Sequence, residues 1–123
     1  MGKILIAEDE RDIRDLIGFT LQFAGYQVIL AADGQEALEM ALKEIPSLIL
    51  MDVRMPRMSG YEACRRIKAE PTLKDIPIVF LSAKGQESEI RLGMDAGAVE
   101  YVVKPFAPAE LVERVKVLLT KYG

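Results

Sequence analysis

The sequence predicts an α/β domain built on one doubly wound, all-parallel sheet. Five short apolar, β-branched runs recur along the chain, and a segment of helical spacing follows each of them. No linker, internal repeat or low-complexity tract interrupts the alternation.

The apolar runs are Lys3–Ala7, Tyr26–Ala31, Leu48–Met51, Ile78–Leu81 and Val99–Val103. They are almost continuously hydrophobic, the pattern of parallel strands covered on both faces. After the first, Ile13, Leu16, Ile17, Thr20, Leu21 and Ala24 fall at three- and four-residue steps, and Gly25 stands where a C-terminal cap belongs. The second helix carries Ala37, Leu38, Ala41, Leu42 and Ile45. Asp33 is its N-cap, with Glu36 three residues on in a capping-box spacing. Tyr61–Ala69 forms the third helix, with Cys64 and Ile67 inward. Gln86–Ala96 forms the fourth, with Ile90 and Met94 inward despite an internal Gly93. The fifth starts just after Pro108 and turns Leu111, Val115, Leu118, Leu119 and Tyr122 to the core. Right-handed crossovers then give a parallel sheet, for which the common five-strand order is 2-1-3-4-5.

Composition narrows the chemistry. At 123 residues the chain has the size of one core, so residues 1–123 are expected to form a single domain. Half the residues are apolar and 28% charged, an ordinary globular balance. Lys and Arg number 16 against 19 Asp and Glu, a net charge of −3. That is not the basic footprint of a nucleic-acid or anionic-membrane binder. The absence of histidine removes His-based acid–base catalysis, catalytic triads and His metal sites. Cys64 is alone, so it forms neither an internal disulfide nor a thiolate cluster. The apolar run at the start is too short for a signal peptide and no stretch approaches membrane-spanning length, which together point to the cytoplasm.

In a sheet of this order, ligands bind beyond the carboxyl ends of the strands, at the switch point between the first and third. The first strand runs into Glu8 and Asp9, the third into Asp52, the fourth into Ser82 and the fifth into Lys104. Three carboxylates brought together raise one another's pKa unless a cation neutralises them. Oxygen ligands without His or Cys suit Mg²⁺ or Mn²⁺ rather than zinc. Lys104 offers positive charge to a phosphate and the Ser82 hydroxyl a hydrogen bond. An aspartate among a metal, a lysine and a hydroxyl is a plausible phosphoryl acceptor. Each residue alone has a plainer reading, as a helix cap, a dipole partner or a solvated side chain. Their joint placement on four strand ends is what favours a phosphoacceptor site.

These residues lie in runs that resemble the receiver domain of two-component response regulators, most closely the single-domain chemotaxis type with its flavodoxin-like fold. The runs are I-L-I-A-E-D-E near the start, A-D-G-Q-E-A-L, Leu48–Gly60, Ile78–Lys84 and Ala96–Phe106, and they cover the chain in register. The resemblance implies that Asp52 is phosphorylated. It implies that Asp9, Asp52 and the Arg54 carbonyl ligate Mg²⁺, with Glu8 assisting through water, and that Ser82 and Lys104 hold the phosphoryl oxygens. Tyr101 becomes the switch aromatic, with Ala83 leaving it room, and Lys104-Pro105 a cis peptide. The donor is a histidine kinase or a phosphotransfer protein, since the chain has no His of its own. Output passes to a downstream protein through the face of helix 4, strand 5 and helix 5, where Arg91, Glu100 and Lys116 are candidate contacts. The regulator is expected to be a monomer or transient dimer. Arg54 and Lys84 depart from the water-orienting residues of the family, which predicts a longer-lived phosphate.

Other classes fit less well. An aspartyl-phosphate phosphatase typically needs a second Asp two residues after the nucleophile, where Arg54 stands. A flavin binder would be repelled by Glu8-Asp9-Glu10. A phosphorylation-independent interaction module would have no use for the intact acidic set.

Overall fold

The computed structural model describes residues 2–82, 87–104 and 106–122, with the side chains of 87–89 left aside. Ala83 and Lys84 therefore lie outside the described residues, as does the proline of the expected cis peptide. The elements alternate without exception: β1 (Lys3–Ala7), α1 (Arg11–Phe23), β2 (Gln27–Ala31), α2 (Gly34–Glu44), β3 (Leu48–Asp52), α3 (Gly60–Ala69), β4 (Ile78–Ser82), α4 (Glu87–Asp95), β5 (Glu100–Val103) and α5 (Pro108–Tyr122). All strand pairs are parallel and the order is β2-β1-β3-β4-β5, as the sequence predicts.

Because side chains alternate across a strand, each central strand feeds two cores. Leu5, Ala7, Ile49, Met51, Ile78 and Phe80 point to one face, where they meet Ala37 and Ala41 of α2 and Cys64 and Ile67 of α3. Ile4, Ile6, Leu48, Leu50, Val79 and Leu81 point to the other, against Ile17 and Leu21 of α1 and Leu111, Val115 and Leu118 of α5. The reading of strands buried on both sides holds for β1, β3 and β4. It fails at the sheet edges, where Gln27 and Leu30 of β2 and Val103 of β5 are exposed, because an edge strand is only partly covered by its helices.

The predicted inward faces hold for Cys64 and Ile67 of α3 and for Leu111, Val115 and Leu118 of α5, but in α1, α2 and α4 the buried stripe is narrower than the spacing predicts. In α1 the buried residues are Ile17, Gly18 and Leu21, and Leu16 is exposed. Gly18 lets this helix approach β2, since a Cβ there would lie 3.3 Å from a Leu30 methyl. In α2, Gly34, Ala37 and Ala41 face inward, leaving Leu42 and Ile45 exposed. In α4, Met94 is exposed and Gly93 takes the inward place, where a Cβ would stand 2.8 Å from the Phe80 ring. Tyr122 likewise lies at the surface. Asp33 caps α2 as expected, Oδ1 accepting from the Glu36 amide at 2.8 Å. Glu36 reaches back to the Ala32 amide at 2.9 Å rather than to that of the cap itself. No helix among the described residues is long and apolar enough to cross a membrane.

Candidate functional site

The strand order gathers the predicted residues at one end of the sheet. Where β1 ends, the Glu8 amide still donates to the Ala31 carbonyl at 3.0 Å, which carries the chain inward past the last strand residue. The Glu8 side chain is consequently fully buried, and a buried carboxylate is tolerated only with partners. Its Oε1 accepts from Lys104 Nζ at 2.7 Å and its Oε2 from the Glu10 amide at 3.2 Å. Arg14 Nη1 donates to the Glu8 carbonyl at 2.9 Å. Asp9 follows on the exposed rim. Asp52, the last residue of β3, is half-buried; its Oδ1 accepts from the Val53 amide at 3.0 Å and lies 3.5 Å from Lys104 Nζ. One oxygen from each of Glu8, Asp9 and Asp52 lies within 4.8 Å of the others.

Ser82 closes β4 and is buried. It sits opposite Val103 in the ladder, and the Lys104 amide donates to its carbonyl at 2.7 Å, so the two predicted phosphate-holding residues are tied through backbone. Lys104 is already engaged by two carboxylates. Tyr101 is half-buried, its ring 6.5 Å from that of Phe80, which in turn meets Tyr61 edge-on at 5.2 Å. Arg54 is exposed on the 53–59 loop, where it lines a depression of about 610 Å³ with Asp9, Met55, Pro56, Ser59 and Tyr61. Gly60 lets this loop turn directly into α3, since a Cβ there would fall on the Asp52 carbonyl oxygen.

The electrostatics follow from crowding. Burial, then the Glu8 charge, push the Asp52 carboxyl up to about 6 against the opposing pull of Lys104. Asp9 is raised as well, by burial first, then by its hydrogen bond with Glu8 and by the Glu8 charge. For Lys104, burial favours the neutral amine, but hydrogen bonding to Glu8 and the Asp52 charge more than offset it and raise its pKa. Among the described residues a single lysine faces three carboxylates, and every ligand atom of the cluster is an oxygen. This set fits a hard divalent cation that keeps part of its water shell, such as Mg²⁺.

Sequence reasoning thus named every carboxylate of the cluster and the lysine within it. It did not see Arg14 steadying Glu8, or the bonds that Arg57 makes to Asp33. On a helix or loop such arginines read as ordinary solvated charge.

A sequence model described as the response regulator receiver domain matches residues 4–116. The chain belongs to this family. Among curated proteins, this receiver is 43% identical over its whole length to the phosphate regulon transcriptional regulatory protein PhoB of Pseudomonas aeruginosa, of which the match covers 54%. It is 43% identical over 97% of its length to the probable transcriptional regulator ycf27 of Cyanophora paradoxa, covering 48% of that protein. The receiver thus spans about half the length of these relatives. Among solved structures it is similar to the chemotaxis protein CheY4 of Vibrio cholerae, with TM-score 0.91 and 37% identity over 95% of this chain and 98% of that one. It is also similar to the receiver domain of the sensor histidine kinase PA1611 of P. aeruginosa PAO1, with TM-score 0.87 and 35% identity over 98% and 96% of the two chains. That structure is described as having a magnesium ion coordinated in its active-site cleft.

Proposed function

We propose that this receiver is a phosphorylation-activated switch in which Asp52 accepts a phosphoryl group in a Mg²⁺-dependent reaction. The observation that carries the reading is the convergence of Glu8, Asp9 and Asp52 oxygens within 4.8 Å, with Lys104 Nζ 2.7 Å from Glu8 and 3.5 Å from Asp52.

Receiver domains of response regulators take phosphoryl groups from histidine kinases. Here an Asp52 carboxylate oxygen attacks the donor phosphorus, the bond from phosphorus to the donor nitrogen breaks, and an acyl phosphate forms on Asp52. Asp9, Asp52 and the Arg54 carbonyl would hold the divalent cation, with Glu8 in support, and the bound cation would neutralise charge on the phosphoryl oxygens. Mg²⁺ is the expected ion, and Mn²⁺ has the same ligand preference. Lys104 exchanges part of its contact with the carboxylates for a phosphoryl oxygen, and the Ser82 hydroxyl donates to another. Drawing these two inward biases Tyr101 towards a buried rotamer and reshapes the α4–β5–α5 surface. This is a population shift, limited by how much more favourably the phosphoryl group interacts with one state than with the other. The protein catalyses only its own phosphorylation and dephosphorylation. A histidine kinase or a phosphotransfer protein is the donor, and a downstream protein reads the altered face of a monomer or transient dimer.

The test is incubation with acetyl phosphate and Mg²⁺, comparing the wild-type chain with Asp9→Ala. The reading expects labelling of the wild type, and loss of labelling in the variant with its fold intact. Normal labelling of Asp9→Ala would remove Asp9 from the metal site.

A further inference from the structure

The loop that follows Asp52 is anchored at a second point, through Arg57. Within it Arg57 adopts left-handed backbone, φ 65°, where glycine would be the unstrained choice. Its guanidinium donates through Nε at 3.0 Å and Nη2 at 2.6 Å to a single oxygen, Oδ2 of Asp33. The other oxygen, Oδ1, accepts the Glu36 amide in the first turn of α2. Asp33 is therefore divided between two tasks, one oxygen for the helix and one for the loop. It is buried, with only 7% of its surface exposed, whereas the Arg57 side chain is 64% exposed, so the pair joins a sheltered carboxylate to a guanidinium that water still screens. The two elements also touch through backbone, since a Cβ on Gly34 would fall on the Met58 carbonyl oxygen.

The same loop carries Arg54, which shares the depression beside the carboxylates with Asp9. The Asp52 end of the loop is fixed by the Gly60 amide, which donates to the Val53 carbonyl at 2.8 Å. Arg57 fixes its outer limb, three residues beyond Arg54. A backbone carbonyl can serve as a cation ligand only if the loop presents it, and the groups that hold a ligand in place govern affinity without touching the ion.

We propose that Arg57 and Asp33 are positioning residues, whose ion pair holds the 53–59 loop so that the Arg54 carbonyl is preset for the divalent cation. This rests on the reading of the acidic cluster as a metal site. It assigns Asp33, otherwise a helix cap, and Arg57, otherwise a solvated cation, to the function of that site.

The experiment is titration of the whole chain with MgCl₂ at fixed ionic strength, following the amide resonances of Asp9, Val53 and Arg54, with urea unfolding of each variant alongside. Arg57→Gly removes the guanidinium while accepting the left-handed backbone without strain. Asp33→Asn keeps a carbonyl oxygen for the Glu36 amide but loses the charge that Arg57 needs. Each should weaken Mg²⁺ binding about tenfold, the low end for outer partners of metal ligands, with the protein still fully folded and any fall in the unfolding midpoint too small to account for the loss. Arg57→Lys, which keeps the charge without the fork, should fall between. The double variant should bind no more weakly than either single one, because both remove one interaction. Wild-type affinity in Arg57→Gly and Asp33→Asn, additive losses in the double variant, or losses that merely follow lowered stability would each overturn the proposal and leave the metal site standing. A wild-type chain whose Asp9 and Arg54 resonances ignore Mg²⁺ would overturn the metal site and the clamp together.

Discussion

At Asp52, burial and the Glu8 charge push the carboxyl up to about 6, well above its ordinary 3.8. A carboxyl whose pKa is higher folded than unfolded binds its proton more tightly in the native state. Its charged form therefore weakens the fold above about pH 6, and the penalty is relieved as pH falls from 6 towards 3.8. Asp52→Asn should accordingly stabilise the metal-free protein at pH 7.5 by about 1 kcal/mol, or about 3–5 °C in melting temperature. The difference from wild type should shrink as melts are repeated down to pH 4. Asp33 behaves oppositely: burial raises its pKa, but the Glu36 amide and the Arg57 guanidinium more than offset this and hold it below the usual value. Its contribution is present above its unfolded pKa and lost on acidification. A further outcome concerns the phosphate lifetime. If Arg54 and Lys84 flank the path of the attacking water, as the resemblance implies, two long cations there would crowd its approach without offering a group to accept its proton. Arg54→Asn combined with Lys84→Glu should shorten the acyl-phosphate lifetime, measured as phosphate release at equal Mg²⁺; an unchanged rate would mark both as ordinary surface.

Elements explain why some expectations held and others shifted. The strands were legible because β1, β3 and β4 are covered on both faces, so their sequences are apolar without alternation. Helix positions were legible, but their inward faces were less so. In α1, α2 and α4 a glycine occupies an inner position, Gly18, Gly34 and Gly93 in turn; an added Cβ would clash at Gly34 and Gly93 and be a tight fit at Gly18. A hydrophobicity pattern scores glycine as neutral, so beside Gly18 and Gly93 it drew in nearby large residues instead, Leu16 in α1 and Met94 in α4, which are exposed. At the start of α3, Gly60→Ala would press its methyl onto the Asp52 carbonyl, which only backbone movement relieves. This substitution should cost about 2–3 kcal/mol in urea unfolding, whereas Ala69→Gly, on the exposed last turn of the same helix, should cost no more than about 1 kcal/mol.

Across the whole molecule, the site is a product of topology. Glu8, Asp52, Ser82 and Lys104 are far apart in sequence, and the β2-β1-β3-β4-β5 order alone brings their strand ends together. A regular βα alternation restricts that order to few choices, which is why the cluster could be read before any coordinates. The Arg57–Asp33 pair could not, because its partners are 24 residues apart in loops that carry no periodic signal. If phosphorylation is transmitted through Ser82, Lys104 and Tyr101, beryllofluoride with Mg²⁺ should shift amide resonances across α4, β5 and α5 while leaving α2 near its starting positions. Shifts confined to the cluster would argue against a relay. The most direct measurement remains the position of the phosphoryl group. After reaction with acetyl phosphate and Mg²⁺, borohydride trapping and peptide mapping should place a single modification at Asp52, absent in Asp52→Asn. A modification at Asp9 or Ser82, or none under these conditions, would contradict the assignment of Asp52 as the phosphoacceptor.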